Sequence, residues 1–318
     1  MNGQCKAWVE TVHPAARGGT WTAVDRGGSD RLFWRGGGAA EGLVALTYGA
    51  ERAENAAYAD CAAFLRTRGV RVPAIIAHDA VARRMLMEDA GSGDLWTGRH
   101  LPWPQRRKLY AAALEQAALL HAIDADEAAA AGVLREPFDA ALYRWEQDYF
   151  FEHFLGQDQA ESLRAAVPLE KQAEELAALP RVPVHRDFQS QNIMVRDGAV
   201  MLIDFQGLRA GLAGYDVASL LFDPYVPMES AERAELASLY AERAGRRDRA
   251  AWEHELRACA RQRLMQALGA YGFLGRVKGK THFLAHIPVA AARLAGLCDG
   301  ENAWRPLAEA VRRATSSA

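Results

Sequence analysis

The chain has 318 residues, a formal net charge of -2 and 50% hydrophobic residues. A chain of this length and apolar content can bury a large core and is long enough for two lobes. It has no basic excess that would point to a nucleic acid partner. No apolar run approaches the roughly 18 residues needed to span a membrane. We therefore expect a protein with neither nucleic acid nor membrane partners.

The four cysteines are far apart in the sequence and lack Cys-x2-Cys spacing: Cys5, Cys61, Cys259 and Cys298. This pattern indicates neither a zinc site nor a disulfide framework, so we expect reduced thiols. The first residues contain no apolar core of signal-peptide length. These observations favour a cytoplasmic location.

The first third of the chain has the pattern of a small, strand-rich unit. A glycine-rich turn at 27–30 precedes a predicted strand at 31–35, and a second apolar strand is predicted at 43–48. Backbone amides in a tight Gly/Ser turn can contact an anion without side-chain obstruction. Gly28 and Ser29 are therefore candidate phosphate contacts, although a simple hairpin turn would have the same composition.

A helix is predicted over 54–68 because apolar residues recur there at helical spacing. Strands are predicted next, at 73–77 and 85–89. If two lobes enclose a nucleotide, a strand entering a glycine-containing segment such as 90–93 would be the hinge whose backbone binds adenine. A plain domain linker would look the same.

Glu88, near the end of that strand, is a candidate nucleotide contact. We place the lobe boundary here, with an N-terminal nucleotide-binding lobe at 1–90 and a catalytic and substrate-binding lobe at 91–318.

Beyond position 100 the pattern becomes helical, with an Ala/Leu-rich helix predicted over 105–121. The segment 138–155 is rich in aromatic residues at helical spacing, which is typical of core. We accordingly expect Trp145, Glu146 and Tyr149 to pack in the interior rather than contact a substrate. Further helices are predicted at 215–221, 231–244 and 250–271.

The segment His185-Arg186-Asp187-Phe188-Gln189-Ser190-Gln191-Asn192 fits the pattern His-Arg-Asp-x4-Asn. Two short apolar strands follow, at 193–195 and 200–203, separated by an Asp-Gly turn. These strands predict a hairpin that returns Asp204 to a position beside Asn192.

Such a motif suits phosphoryl transfer. The reaction needs a carboxylate near the attacking hydroxyl, and oxygen ligands for the magnesium ions that bridge the nucleotide phosphates. Asp187 is the candidate base or orienter of the hydroxyl, and Asn192 and Asp204 are candidate Mg²⁺ ligands. His185 is expected to brace the loop. ATP and Mg²⁺ are the cofactors implied.

The sequence resembles a known family, the aminoglycoside phosphotransferase and choline kinase superfamily. The resemblance is carried by the His185–Asn192 motif, by Ile203-Asp204-Phe205-Gln206-Gly207 and by the segment from Tyr215 to Tyr225. Within the superfamily the chain is most similar to bacterial anomeric kinases that act on N-acetylmuramate and N-acetylglucosamine in cell-wall sugar recycling.

This resemblance implies an α+β, bilobal protein-kinase-like fold with a small strand-rich N-lobe and a larger, mostly helical C-lobe. It also implies ATP with magnesium, a small-molecule amino sugar as substrate, and a sugar 1-phosphate as product. Asp216 is implied to brace the catalytic loop.

The chain departs from that family in one respect, since it has no lysine between Lys6 and Lys108. Related kinases use a strand lysine, paired with a helix glutamate, to hold the nucleotide phosphates. Arg31 and Arg35 are the nearest cationic candidates, and strand alternation places both on one face. Arg31, closer to the glycine turn, is the preferred one; exposed strand arginines without this role would look similar. Glu54 lies where the partnering glutamate would be expected.

Two alternatives stay open on the sequence. The acceptor could be another alcohol, such as an aminoglycoside or a choline-like amine, in which case a cationic substrate should meet carboxylates. The missing lysine is also compatible with a non-catalytic nucleotide-binding pseudokinase, although Asp187, Asn192 and Asp204 are all present.

Overall fold

The computed structural model describes residues 1–24 and 31–316 of the chain. Its N-terminal part contains a five-stranded antiparallel sheet in the order β1-β2-β3-β5-β4. The strands are β1 (Thr20–Val24), β2 (Leu32–Gly37), β3 (Leu43–Thr47), β4 (Ile75–Asp79) and β5 (Arg84–Glu88). Helix α1 (Gly3–Val12) precedes this sheet, and α2 (Tyr58–Thr67) lies between β3 and β4.

The central strands of this sheet are buried on both faces. Leu43 and Ala45 of β3 share a small core with Val9 of α1, whereas Val44 and Leu46 belong to the main core. Successive side chains of a strand point to opposite faces, so a continuous apolar run covers both. Helix α1, which covers the outer face of the sheet, was not predicted from the sequence.

The rest of the described chain is mainly helical. The helices are α3 (Trp103–His121), α4 (Ala125–Ala130), α5 (Ala140–Phe150), α6 (Ala160–Ala166), α7 (Leu169–Ala178), α8 (Ala213–Leu221), α9 (Ser230–Arg243), α10 (Arg249–Gly272), α11 (Ile287–Asp299) and α12 (Arg305–Ser316). Within the described ranges, no helix is both long and apolar enough to cross a membrane.

Helix α10 forms the centre of this lobe, packed against α5, α8 and α11. Close approach to the chain after α5 depends on glycine: a Cβ added at Gly272 would lie 1.9 Å from the carbonyl oxygen of His153. Gln262 of α10 is fully buried and its Nε2 donates to the backbone oxygen of Tyr143 at 2.8 Å. These contacts fix α10 against α5 beside the site described below.

Two small sheets carry the functional loops. The first contains β6 (Gly93–Asp94), β8 (Ile193–Arg196) and β9 (Ala199–Leu202), and the second pairs β7 (Val182–Val184) with β10 (Arg209–Gly211). The predicted hairpin is confirmed as β8 and β9, joined by Asp197 (φ 52°) and Gly198 (φ 77°). Positive φ at both turn residues is what a two-residue hairpin of this twist requires.

The predicted α+β fold, with a small sheet lobe and a larger helical lobe, is confirmed. Two details differ from the sequence predictions. The helix predicted over 54–68 is a 3-10 turn (Ala53–Ala57) followed by α2, and the strand predicted at 73–77 lies later, at β4. Helices α4, α6, α7, α11 and α12 were not predicted. The lobe boundary near residue 90 stays a prediction.

Candidate active site

The start of the catalytic loop is held from below by Asp216, which is fully buried on α8. Its carboxylate accepts hydrogen bonds from the backbone N–H of His185 at 2.6 Å and of Arg186 at 2.8 Å. The His121 ring lies 3.1 Å from the same carboxylate. Hydrogen bonds to a charged acceptor are stronger than neutral ones. The expectation that Asp216 braces this loop is confirmed.

Asp223 holds the other side of the loop. Its carboxylate accepts from the backbone N–H of Ser190 at 2.8 Å and of Tyr225 at 3.0 Å. Burial raises the pKa of Asp223, although the hydrogen bonds it accepts oppose that shift. Two buried carboxylates thus fix the loop on either side of Asp187.

His185 is buried, and its Nε2 lies 2.9 Å from the carbonyl oxygen of Ile203. With Nε2 as donor, this contact joins the catalytic loop to the end of the hairpin that carries Asp204. Its position is that of a brace, because the ring has no exposed edge.

Asp187 itself is accessible, with 42% of its side chain exposed. Arg263 of α10 places a guanidinium nitrogen 3.6 Å from the Asp187 carboxylate and donates through Nε to Ser219 Oγ at 2.6 Å. Arg263 was not among the catalytic or metal-binding residues predicted from the sequence. Its helical spacing on α10 carried no signal of this contact, which spans 76 positions in the chain.

Asn192 links the catalytic loop to the hairpin. Its Nδ2 donates to the backbone oxygen of Asp187 at 2.9 Å, which orients the amide and leaves Oδ1 for another partner. The backbone N–H of Ile203 donates to the backbone oxygen of Asn192 at 3.0 Å. The hairpin therefore returns the chain beside Asn192, and Asp204 follows Ile203 directly.

Asp204 has a left-handed backbone, with φ 64°, and its carboxylate has two close partners. Arg31 Nη2 lies 2.6 Å from Oδ1, and Gln206 Nε2 donates to the same oxygen at 3.0 Å. Burial alone would raise the pKa of Asp204, but Arg31 and Gln206 outweigh it and hold that pKa below its usual value. The carboxylate is therefore kept in the charged form that a metal ligand needs.

Asn192 and Asp204 line one cleft with the N-lobe sheet and the segment after β5. The cleft has a volume of about 280 Å³ and includes Arg31, Arg35 and Glu88 among its lining residues. Glu88 also accepts a hydrogen bond from the backbone N–H of Ala74 at 3.1 Å. Gly28 and Ser29, the candidate phosphate contacts, lie outside the described residues.

Arg31 and Arg35 have different partners in this cleft. Arg35 donates through Nε to Asp89 at 2.6 Å and through Nη2 to the carbonyl oxygen of Gly91 at 2.6 Å. Arg35 is thereby tied to the segment that joins the lobes, whereas Arg31 is directed at Asp204. Glu54, expected as the partner of the phosphate-binding cation, is not the partner of Arg35.

This difference yields a prediction for the phosphate contact. Arg31→Ala is expected to lower ATP affinity roughly tenfold to a hundredfold, as losing a charge-assisted hydrogen bond of about 1.5–3 kcal/mol implies. Arg35→Ala is expected to change it much less, because Arg35 is engaged by Asp89. Titration calorimetry with ATP and ADP measures both. If neither variant binds more weakly, neither arginine holds the phosphates.

The donor set of the cleft suits magnesium. Asp204 and Asn192 present a carboxylate and an amide oxygen, which are hard ligands of the kind that Mg²⁺ prefers. No cluster of three His, Cys, Asp or Glu side chains that could hold a metal occurs in 1–24 or 31–316. Mg²⁺ in kinases is held by one or two protein oxygens together with nucleotide phosphates, so the pair fits that group.

A second cavity, of about 240 Å³, lies on the helical side of Asp187. It is lined by Phe138, Leu142, Trp145, Glu146, Arg186, Asp187, Arg209, Tyr215 and Gln266. The expectation that the aromatic segment 138–155 forms core is wrong for Trp145, which is 54% exposed. Its ring stacks on that of Tyr149, with 5.2 Å between the two ring centroids. Periodicity alone cannot separate a pocket wall from the core, because both recur at helical spacing.

The fold and these two cavities, one lined by Asp187 and the other by Asn192 of the same loop, define a bilobal, kinase-like phosphotransferase. In agreement, the model of the phosphotransferase enzyme family matches residues 20–259. The chain belongs to this family.

Two curated relatives carry the description N-acetylmuramate/N-acetylglucosamine kinase. The protein from Pseudomonas aeruginosa is 26% identical over 275 residues, which covers 82% of this chain and 78% of that protein. The protein from Neisseria meningitidis is 39% identical over 69 residues. This match covers 22% of this chain and 21% of that protein.

Solved structures show the same fold. A choline/ethanolamine kinase family protein from Mesorhizobium loti aligns with a TM-score of 0.61 at 18% identity, covering 97% of this chain and 98% of that one. The ternary complex of streptomycin, ATP and APH(2")-IIa aligns with a TM-score of 0.61 at 14% identity, covering 86% and 91%.

Proposed function

We propose that this chain is an ATP- and Mg²⁺-dependent kinase that phosphorylates the anomeric hydroxyl of N-acetylmuramate, N-acetylglucosamine or both. The observation that carries the proposal is the placement of the catalytic motif. Asn192 and Asp204 line the cleft under the N-lobe sheet, and Asp187, on the same loop as Asn192, lines the cavity on the helical side. A nucleotide and an alcohol would therefore meet at the catalytic loop.

The proposed nucleotide site uses the cleft residues. Asp204 and Asn192 would hold Mg²⁺, which neutralises charge on the phosphates and orients them. Arg31, directed at Asp204 from the sheet, is our candidate for the cation that replaces the missing lysine. Gly28, Ser29 and Glu88 remain proposed nucleotide contacts.

The proposed transfer step is a direct displacement. The sugar hydroxyl oxygen forms a bond to the γ-phosphorus as the bond from that phosphorus to the β,γ-bridging oxygen breaks, and ADP leaves. Asp187 orients the hydroxyl and accepts its proton. The backbone oxygen of Asp187 is held by Asn192, so the base and the nucleotide site share one rigid loop.

The amino-sugar part of the proposal is supported by the two curated relatives with that activity in their descriptions. The size of the acceptor cavity also favours it. Small-molecule sites are typically roughly 300–1,000 Å³. A cavity of about 240 Å³ lies just below this range, which suits one sugar ring better than a multi-ring aminoglycoside.

A substrate comparison tests the proposal. We expect ADP release with N-acetylmuramate or N-acetylglucosamine, none above background with choline or kanamycin, and a product whose ³¹P–¹H coupling places phosphate on C1. The methyl glycosides of the two sugars are the matched control, because their anomeric oxygen is blocked. Equal turnover of sugar and methyl glycoside would place transfer at another hydroxyl. ADP release with kanamycin or choline alone contradicts the sugar assignment.

A further inference from the structure

Two arginines that line the cavity beside Asp187 form no ion pair with an acidic side chain in the part of the chain that the structure describes. Arg186 and Arg209 both line it. Arg209 donates through Nη1 to the carbonyl oxygen of Glu136 at 2.7 Å, and its Nε is buried without a hydrogen-bond partner. Across 1–24 and 31–316, neither arginine forms an ion pair with an acidic side chain, and the only hydrogen bond found at Arg186 is made by its backbone.

These two cations act on each other. The pKa of Arg209 is lowered first by burial and next by the charge of Arg186. Glu54, Glu136 and Glu146 oppose the effect of Arg186, and each acts on Arg209 more weakly than Arg186 does. Repulsion between two like charges that line one cavity is relieved when an anion binds between them.

The carboxylates of the cavity are already engaged. Glu146 is buried and accepts hydrogen bonds from Tyr215 Oη at 2.6 Å and Gln262 Nε2 at 2.9 Å. Asp187 faces Arg263. A cationic acceptor would therefore meet two unpaired guanidinium groups and, apart from Asp187, no carboxylate left for it.

Arg186 is also held in an unfavourable backbone conformation. Its φ is 76°, a left-handed value that glycine adopts freely but that is uncommon for long side chains. A Cβ at Gly207 would lie 3.7 Å from Arg186 Nη1, which locates the guanidinium beside the loop that follows Asp204. Backbone strain of this kind clusters at functional sites.

We propose that Arg186 and Arg209, here called the arginine pair, bind a carboxylate on the acceptor and make the chain selective for an acidic amino sugar. Arginine suits this task because its planar donors match a carboxylate. N-acetylmuramate carries such a group on its lactyl ether, and N-acetylglucosamine has the same ring without it. Exposed Trp145 supplies an apolar face for that ring. The inference rests on the proposed amino-sugar kinase function.

The test compares three sugars: N-acetylmuramate, its methyl ester and N-acetylglucosamine. For the wild type we expect kcat/KM for the acid to exceed that for the ester at least tenfold, the effect of a charge-assisted contact. In Arg186→Gly and in Arg209→Gln this ratio is expected to fall about tenfold or more. Arg186→Gly should melt at the same or a higher temperature, because glycine relieves the positive φ.

Arg144→Gln is the matched control. Arg144 precedes Trp145 on α5, pairs with Glu170 outside the cavity, and loses the same charge; its ratio should stay at the wild-type value. Calorimetric titration of acid and ester without ATP gives a second readout. Equal kcat/KM for acid and ester in the wild type, or ratios unchanged in both pair variants, overturns the inference while the kinase function stands. If no sugar is turned over, the kinase proposal fails. If the calorimetric titration then also shows equal affinity for acid and ester, the role of the arginine pair is rejected as well.

Discussion

Asp187→Asn is expected to lower kcat by roughly 10²- to 10⁴-fold, the usual contribution of a positioned general base. ATP affinity should change little, because the Asp187 side chain lines the acceptor cavity rather than the nucleotide cleft. Asparagine keeps the size of the side chain, and the backbone oxygen that Asn192 contacts is unaltered. Steady-state kinetics with the preferred sugar gives kcat, and calorimetry gives the ATP affinity.

Asp197→Asn provides the control for this substitution. Asp197 lies in the β8–β9 turn, 93% exposed, and asparagine tolerates its φ of 52°. The same loss of charge ten positions away should leave kcat and ATP affinity at wild-type values. A collapse of ATP affinity in Asp187→Asn would instead identify Asp187 as a structural residue.

The parts of the site that the sequence predicts are those encoded locally. Asp187, Asn192 and Asp204 fall within 18 consecutive positions, and the Asp-Gly turn between them determines the hairpin. Residue type and spacing were therefore enough to predict which side chains share a loop. The division into a strand-rich first third and a helical remainder followed in the same way from the period-2 and period-3.6 patterns, whereas the α+β bilobal fold was implied by the family resemblance.

The parts that the sequence did not predict depend on contacts between distant elements. Arg263 on α10 lies close to the Asp187 carboxylate. Trp145 on α5 and Arg209 on β10 line the same cavity as Asp187. Each lies in a segment whose local pattern also fits core or surface. Which of these faces meets the catalytic loop is decided by tertiary packing, for which the spacing of residues along one element carries no signal.

The arginines of the sheet show the same limit within one strand. Alternation predicted that Arg31 and Arg35 share a face, and both line the cleft. It could not predict that Arg31 reaches Asp204, 173 positions away, while Arg35 is taken by Asp89. A pattern gives the direction of a side chain, but its partner depends on the other lobe.

Asp204→Ala is expected to reduce turnover below detection and to remove most of the effect of Mg²⁺ on nucleotide binding. The physical reason is that Asp204 is the one carboxylate among the two proposed metal ligands, so alanine leaves only the amide of Asn192. Arg31 loses a 2.6 Å ion-pair partner in the same variant. Because Arg31, the proposed phosphate contact, remains in this variant, binding of ATP without Mg²⁺ should be retained.

Two comparisons separate this effect from general damage to the cleft. Asn192→Ala should reduce turnover less completely, because the carboxylate of Asp204 remains. The Asp187 backbone oxygen then loses one of its two donors and keeps the backbone N–H of Gln189. Arg31→Ala should weaken ATP binding with and without Mg²⁺, whereas Asp204→Ala should alter only the Mg²⁺-dependent part. Calorimetric titration of ATP at zero and saturating Mg²⁺ distinguishes the three variants. Turnover at the wild-type level in Asp204→Ala would be incompatible with the proposed kinase. The other acidic residues that line the cleft, Glu88 and Asp89, lie outside the segment 192–204 that carries both proposed metal ligands.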